Sequence, residues 1–81
     1  MKIIDALNKV LNKYYNELTD TYVLVGANGH DINTEIHRLF YELNVAGAIE
    51  IKNRKGYDYI YITFIDENNK FQCVCGEIDL C

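Results

Sequence analysis

Basic residues gather at one turn of this chain, between two runs of alternating apolar residues. The turn of the segment "EIKNRKGYDYIYITF" carries Lys52, Arg54 and Lys55, although the chain has a formal net charge of -4. Ammonium and guanidinium groups at the tip of a hairpin can bind phosphate oxygens. Hairpin tips also carry Lys, Asn and Gly simply because turns are solvated. From the residues alone, these two interpretations stand about equal.

A row of tyrosines follows the turn. Tyr57, Tyr59 and Tyr61 alternate with isoleucines, so a strand would place all three rings on one face. Such a row can stack the bases of a single-stranded nucleic acid. It is equally typical of a half-buried sheet or of a protein-binding surface, and the sequence favours this second interpretation.

The cysteines do not form a recognisable metal or disulfide pattern. On a strand, Cys73 and Cys75 would lie about 6.5–7 Å apart on one face, which is too far for a relaxed disulfide. With Cys81 they give a spacing that is not a standard zinc site, even if His30 or His37 is added. We expect free thiols and no bound metal or cofactor.

The sequence contains no motif of a known catalytic class. There is no Gly-x-Ser-x-Gly, no phosphate-binding loop and no metal-binding histidine pair. We therefore expect a binding protein and not an enzyme.

Length and composition favour a single domain over residues 1–81. The chain is 49% hydrophobic, which suits a globular fold. No apolar run approaches the roughly 18–20 residues of a membrane span, and charged residues interrupt "MKIIDALNKVL", which is therefore not expected to be a signal peptide. An odd number of cysteines argues against a disulfide framework. These features predict a cytoplasmic protein.

Residues 2–18 have the periodicity of an amphipathic helix. Packing of its apolar stripe within the chain is the first expectation. The same stripe also fits a spacing of 3.5 residues, so it is a candidate dimer interface. The stripe consists of Ile4, Leu7, Leu11, Tyr14 and Leu18.

The remaining elements are predicted from changes of period. Residues 22–25 suit either a short strand or a short helix. Residues 32–45 form a second helix capped by Asp31 or Asn33, with Gly47 available for a left-handed position after it. A period of two then predicts an antiparallel hairpin, a third strand at 71–75 and a loose end at 77–81.

This order of elements resembles a winged helix-turn-helix module over residues 19–65. The likeness is carried by "TEIHRLFYELNVAGAIEIKNRKGYDYIYITF", which is similar to a recognition helix, a glycine corner, a strand, a basic wing tip and a return strand. The resemblance implies a winged-helix-like α+β fold with a two- to three-stranded antiparallel sheet. It also implies that "YVLVGAN" is the first helix of the motif.

The resemblance further implies a small DNA-binding transcriptional regulator. Helix 32–45 would read base edges in the major groove, and the tip 52–56 would bind phosphate. The partner would be double-stranded DNA, bound by a homodimer. The implied contact residues are Asn33, Thr34, His37, Arg38, Tyr41, Lys52, Arg54 and Lys55.

The acidic balance supports a second hypothesis. Small, acidic, tyrosine-rich chains of this kind resemble phage- or virus-encoded inhibitors of host machinery, including anti-CRISPR proteins and nucleic-acid mimics. The partner would then be a basic host protein. The acidic residues that would meet it are Asp5, Glu17, Asp20, Asp66, Glu67, Glu77 and Asp79.

Overall fold

The computed structural model describes residues 2–26 and 29–79, and these form an α+β fold with two helices and a five-stranded mixed sheet. The predicted fold class is thereby confirmed, although the sheet is larger than the two or three strands expected. The elements are α1 (Ile3–Asn12), β1 (Tyr15–Asn16), β2 (Thr21–Val23), α2 (Ile32–Glu42), β3 (Gly47–Arg54), β4 (Tyr57–Ile65) and β5 (Phe71–Asp79).

The sheet has the strand order β1-β2-β5-β4-β3. Three consecutive strands, β3, β4 and β5, form an antiparallel meander. Strand β2 adds to β5 in parallel, and β1 pairs with β2 in an antiparallel hairpin. Strand β3 therefore forms one edge of the sheet, and the very short β1 forms the other.

Both helices pack on the same face of the sheet. Alternate residues of β4 point towards them, and Ile60, Ile62 and Phe64 are each no more than 1% exposed. They form one core with Ile36 and Phe40 of α2 and with the apolar side of α1. The molecule measures 35 × 30 × 18 Å, so its thin dimension holds one helix layer and one sheet layer.

Helix α1 ends at Asn12, so the prediction that it runs to residue 18 is wrong. The carbonyl of Tyr14 accepts a hydrogen bond from the backbone N–H of Val23 at 2.8 Å, which draws the chain into the sheet. Leu7, Leu11 and Tyr14 are at most 2% exposed in the core, whereas Leu18 is 97% exposed. Most of the predicted dimer stripe is therefore used within the chain, and Ile4 is half-buried against the same core.

The segment expected to be the first helix of a helix-turn-helix motif begins as a strand. Tyr22 and Val23 pair with Ile78 and Asp79 of β5, which suits the β-propensity of these residue types. After a bend at Leu24, Val25 forms an isolated antiparallel bridge with Asp31. The helix that the winged-helix resemblance implies is therefore wrong for the described residues, and the alternative of a short strand is confirmed at Tyr22 and Val23. Ala27 and Asn28 lie outside the described residues.

Helix α2 begins where predicted and ends three residues early. The Asp31 carboxylate accepts from the backbone N–H of Asn33 at 2.7 Å, which makes Asp31 the N-cap. At the other end, Val45 donates to the Phe40 carbonyl at 2.8 Å while Asn44 adopts a φ of 56°. This is a Schellman C-cap, and Asn44 takes the left-handed position that was expected at Gly47.

Gly47 is instead required by close packing. A Cβ atom there would lie 2.6 Å from Cε2 of Phe40 and 2.8 Å from the carbonyl oxygen of Thr63. The glycine thus lets the end of α2 approach the start of β3.

The chain's last described residues are part of the sheet. Strand β5 continues to Asp79, so the prediction of a loose end from residue 77 is wrong for residues 77–79. Ile78 pairs with Asp58 on one side and Tyr22 on the other, and it is 5% exposed. Leu80 and Cys81 lie outside the described residues.

Burial of Tyr14 predicts a specific loss of stability at alkaline pH. Burial, with the nearby Glu35 carboxylate adding to it, raises the pKa of Tyr14 from 10.0 to about 12. The unfolded chain therefore loses the phenolic proton first, and the stability that this group contributes is lost as pH rises from 10 to 12. We expect the free energy of unfolding to fall more steeply in wild type than in Tyr14→Phe across this range. Parallel pH profiles from urea denaturation would contradict this expectation.

Candidate nucleic-acid interface

The β3–β4 turn is short and well fixed. Arg54 pairs with Tyr57, which leaves a two-residue loop of Lys55 and Gly56 with φ values of 54° and 87°. Positive φ at both positions is the mark of a type I′ turn. The Asn53 side chain accepts a hydrogen bond from the Gly56 N–H at 3.3 Å, which stabilises the loop.

Two of the three tip cations lie on the sheet face that the helices leave uncovered. In β3, Ile49 and Ile51 pair with Ile62 and Ile60, so their side chains lie on the helix-covered face of the sheet. Lys52 and Arg54 alternate with them and therefore point to the uncovered face. There both cations approach the Tyr61 ring. The Lys52 Nζ lies 5.6 Å from the ring centroid and the Arg54 Cζ 5.9 Å from it.

A direct hydrogen bond also joins Arg54 to this ring. Its Nη1 donates to the Tyr61 hydroxyl at 2.9 Å. The guanidinium is thus held along the strand, with its charge beside an aromatic face, in an arrangement typical of cation–π contacts.

The tyrosines form a row beside these cations, in which Tyr57 is exposed and Tyr59 and Tyr61 are half-buried. The Tyr59 and Tyr61 ring centroids are 6.5 Å apart with a tilt of 47°, and Tyr57 is 59% exposed at the end of the row. The row lies in an open groove of about 770 Å³. The groove is lined by Arg54, Lys55, Tyr57, Tyr59, Tyr61 and Cys75.

The two sides of the tyrosine row differ in charge. On the β3 side, Lys52 pairs with Glu50 at 3.3 Å, whereas no ion pair of Arg54 or Lys55 is found within residues 2–26 and 29–79. On the β5 side, Glu77 lies opposite Tyr59. The positive charge available to a ligand is therefore concentrated at the turn.

The predicted major-groove residues lie on the other layer of the molecule. Thr34, His37, Arg38 and Tyr41 are exposed on α2, and Asn33 is half-buried beside its cap. Since α2 buries its apolar side against the sheet, its exposed side points away from Lys52 and Arg54. The structure therefore does not bring the α2 residues and these two tip cations onto one surface.

The surroundings of Arg38 also differ from those of the turn. Arg38 borders a small groove between α1 and α2 that contains the carboxylates of Glu35 and Glu42. Lys13 lies 3.7 Å from the Glu35 carboxylate in the same groove. Two carboxylates beside Arg38 weaken its attraction for phosphate.

The described cysteines are free and exposed. Cys73 and Cys75 lie on β5, facing the same side as Tyr61 and Thr63, their partners across the ladder. In the part of the chain that the structure describes, no three His, Cys, Asp or Glu side chains are placed to hold a metal ion. None of the described helices is long and apolar enough to cross a membrane.

Sequence reasoning found the cations and the tyrosines separately but missed their association. A signal was present, because a two-residue turn at Lys55 and Gly56 fixes which residues meet across the hairpin. This turn places Arg54 opposite Tyr57, on the same face of the sheet as Tyr61.

Comparisons with protein-family models, with curated proteins and with solved structures found no match to this chain.

Proposed function

We propose that this protein binds nucleic acid on the uncovered face of its sheet. The observation that carries the proposal is the row of Tyr57, Tyr59 and Tyr61 on that face, with Arg54 and Lys52 held against Tyr61. Rings on an open sheet offer flat surfaces for bases, and cations along one side offer contacts for the backbone.

The geometry favours a single strand over a duplex. Bases can stack on Tyr59 and Tyr61 only when they are not already stacked and paired with other bases. The phosphates of such a strand would lie beside the end of β3 and its turn, where Arg54 and Lys55 supply positive charge. Because Tyr61 already orients the Arg54 guanidinium, less side-chain freedom is lost when it binds a phosphate.

The regulator predicted from the winged-helix resemblance differs from this proposal in one respect. Both assign phosphate contacts to the hairpin tip. The regulator also needs α2 to enter the major groove of the same duplex, and α2 faces away from Lys52 and Arg54. Binding of double-stranded DNA is therefore an alternative outcome of the test below.

The protein-binding hypothesis is less well supported because two of the acidic residues that it assigns to a partner, Asp66 and Glu67, bind groups within the chain. The Asp66 carboxylate accepts hydrogen bonds from the backbone N–H of Lys70 at 2.9 Å, from the Gln72 side chain at 2.8 Å and from the backbone N–H of Asn68 at 2.9 Å, and these bonds lower its pKa. The Glu67 carboxylate accepts from the backbone N–H of Ile3 at 3.2 Å. These carboxylates stabilise a turn and a helix start without any partner protein.

The test is fluorescence anisotropy with a labelled oligothymidine and a labelled mixed-sequence duplex, titrated over a series of salt concentrations. Wild type is expected to bind the single strand more tightly, with affinity falling as salt rises. Arg54→Glu/Lys55→Glu is expected to bind at least about tenfold more weakly and to reduce the salt slope by about 1.4, because each lost contact contributes about 0.7.

The matched control is Lys2→Glu/Lys9→Glu, which makes the same change of net charge on exposed residues of the helix layer. This variant is expected to retain most of the affinity. An equal loss of affinity in both variants would show that the net charge of the protein, and not the position of Arg54 and Lys55, determines binding. That result would contradict the proposed site. Absence of binding at low salt would overturn the proposed function, and tighter binding of the duplex would favour the regulator.

A further inference from the structure

The outer edge of β3 is the long open edge of this sheet. Strand β3 has eight residues, and all of them except Ile49 are exposed. Every second residue of an edge strand presents an unpaired N–H and C=O group, and such edges readily pair with another strand. The opposite edge of the sheet is formed by β1, which has only two residues.

The turn geometry determines which backbone groups of β3 are unpaired. Arg54 and Tyr57 close the two-residue turn, so their backbone groups bond each other. In an antiparallel ladder, bonded and non-bonded pairs alternate. The backbone groups of Ile49, Ile51 and Asn53 therefore point outwards, away from β4.

We propose that two copies of this chain pair through their β3 edges, antiparallel, about a two-fold axis at Ile51. This axis places Ile51 opposite the partner's Ile51, and Ile49 opposite the partner's Asn53. All of these residues present outward backbone groups, so the new ladder satisfies them on both chains.

Charge complementarity selects this axis. With the two-fold axis at Ile51, Glu50 lies opposite the partner's Lys52, and Lys52 lies opposite the partner's Glu50. The pairs between them are of the non-bonded type, in which side chains approach most closely. An axis at Asn53 would place Lys52 opposite the partner's Arg54, and an axis at Ile49 would leave Glu50 opposite the partner's Ala48.

The same axis accounts for an exposed isoleucine. Ile51 is 43% exposed at the edge of the helix-covered face. Pairing would place it directly across from the partner's Ile51, and cross-strand aliphatic pairs of this kind stabilise sheets.

The paired chains would share one continuous ten-stranded sheet. A two-fold axis perpendicular to the sheet keeps both uncovered faces on the same side. The two tyrosine rows would then lie three strand spacings apart, about 14 Å. The proposed pairing does not depend on nucleic-acid binding, and it is tested without nucleic acid.

The test is sedimentation equilibrium of wild type and of two charge variants. Wild type is expected to dimerise, whereas Glu50→Lys and Lys52→Glu are each expected to weaken the dimer at least about tenfold, because each places like charges across the axis twice. An equimolar mixture of these two variants is expected to form a heterodimer. The double variant Glu50→Lys/Lys52→Glu is expected to dimerise like wild type.

A matched control separates register from overall charge. Glu42→Lys and Lys9→Glu make the same charge changes on exposed residues of the helix layer. Both are expected to dimerise as wild type does, singly and mixed. If the β3 variants behave like these controls, the proposed register is overturned.

A backbone variant tests the edge itself. Ile51→Pro removes an N–H group that points outwards, so the monomer keeps its β3–β4 ladder. It is expected to remain folded by circular dichroism and to be monomeric. A dimeric Ile51→Pro, or a wild type that stays monomeric at millimolar concentration, would overturn the proposal.

Discussion

Replacing Phe64 with alanine is expected to lower the free energy of unfolding by about 3–5 kcal/mol. The ring is 1% exposed and packs on Phe40 with a centroid distance of 5.7 Å. Its removal leaves a cavity where α2 meets β4. A domain of this length has a total stability of roughly 4–12 kcal/mol, so much of the stability would be lost. Urea denaturation followed by circular dichroism measures the change.

The matched control is Phe71→Ala. Phe71 is in the neighbouring strand of the same sheet, pairs with Ile65 and is 69% exposed. On the uncovered face its loss is expected to change the free energy of unfolding by no more than about 0.5 kcal/mol. A loss as large as that of Phe64→Ala would show that this face is covered in solution, which would contradict both its role as a ligand surface and the two-layer fold.

The buried sides of the long elements could be predicted from the sequence. Ile60, Ile62 and Phe64 repeat at every second position, and Ile32 and Ile36 lie one helical turn apart. Such periods arise because one side of each element is removed from water. The structure confirms that these sides form the core.

The short elements could not be predicted because they depend on distant parts of the chain. Tyr22 and Val23 are held in a strand by Ile78 and Asp79, which lie more than fifty residues away. The same contact draws residues 77–79 into the sheet instead of leaving them loose. Local propensity allowed either a helix or a strand at 22–25, and the pairing with β5 decided between them.

The candidate site was predicted in parts and not as a whole. Strand alternation alone places Lys52 and Arg54 on one face of the sheet and Ile49 and Ile51 on the other. The winged-helix interpretation nevertheless combined these cations with the exposed side of α2. Only the packing of both helices on the face that carries Ile60 and Ile62 shows that the exposed residues of α2 and the cations of β3 point in opposite directions.

Replacing both Tyr59 and Tyr61 with alanine is expected to lower the affinity for oligothymidine by at least about thirtyfold. Each base stacked on an aromatic ring contributes about 1–3 kcal/mol, and a loss of about 2 kcal/mol corresponds to this factor. Tyr61→Ala also removes the hydroxyl that holds Arg54 at 2.9 Å. Fluorescence anisotropy measures the affinity, and circular dichroism checks that the double variant remains folded.

Two further variants separate stacking from charge. Tyr61→Phe keeps the ring and removes only the hydrogen bond to Arg54, so a loss of less than about tenfold is expected. Tyr41→Ala removes a tyrosine that is 87% exposed on the helix layer, and it is expected to leave the affinity unchanged. If Tyr41→Ala weakened binding as much as the double variant, the ligand would contact α2, and the uncovered face would not be the binding surface. If only the Tyr59 and Tyr61 variants weakened binding, the two faces of β4 would have separate roles. Its residues on the helix-covered face would form the core, and its tyrosines on the uncovered face would bind the ligand.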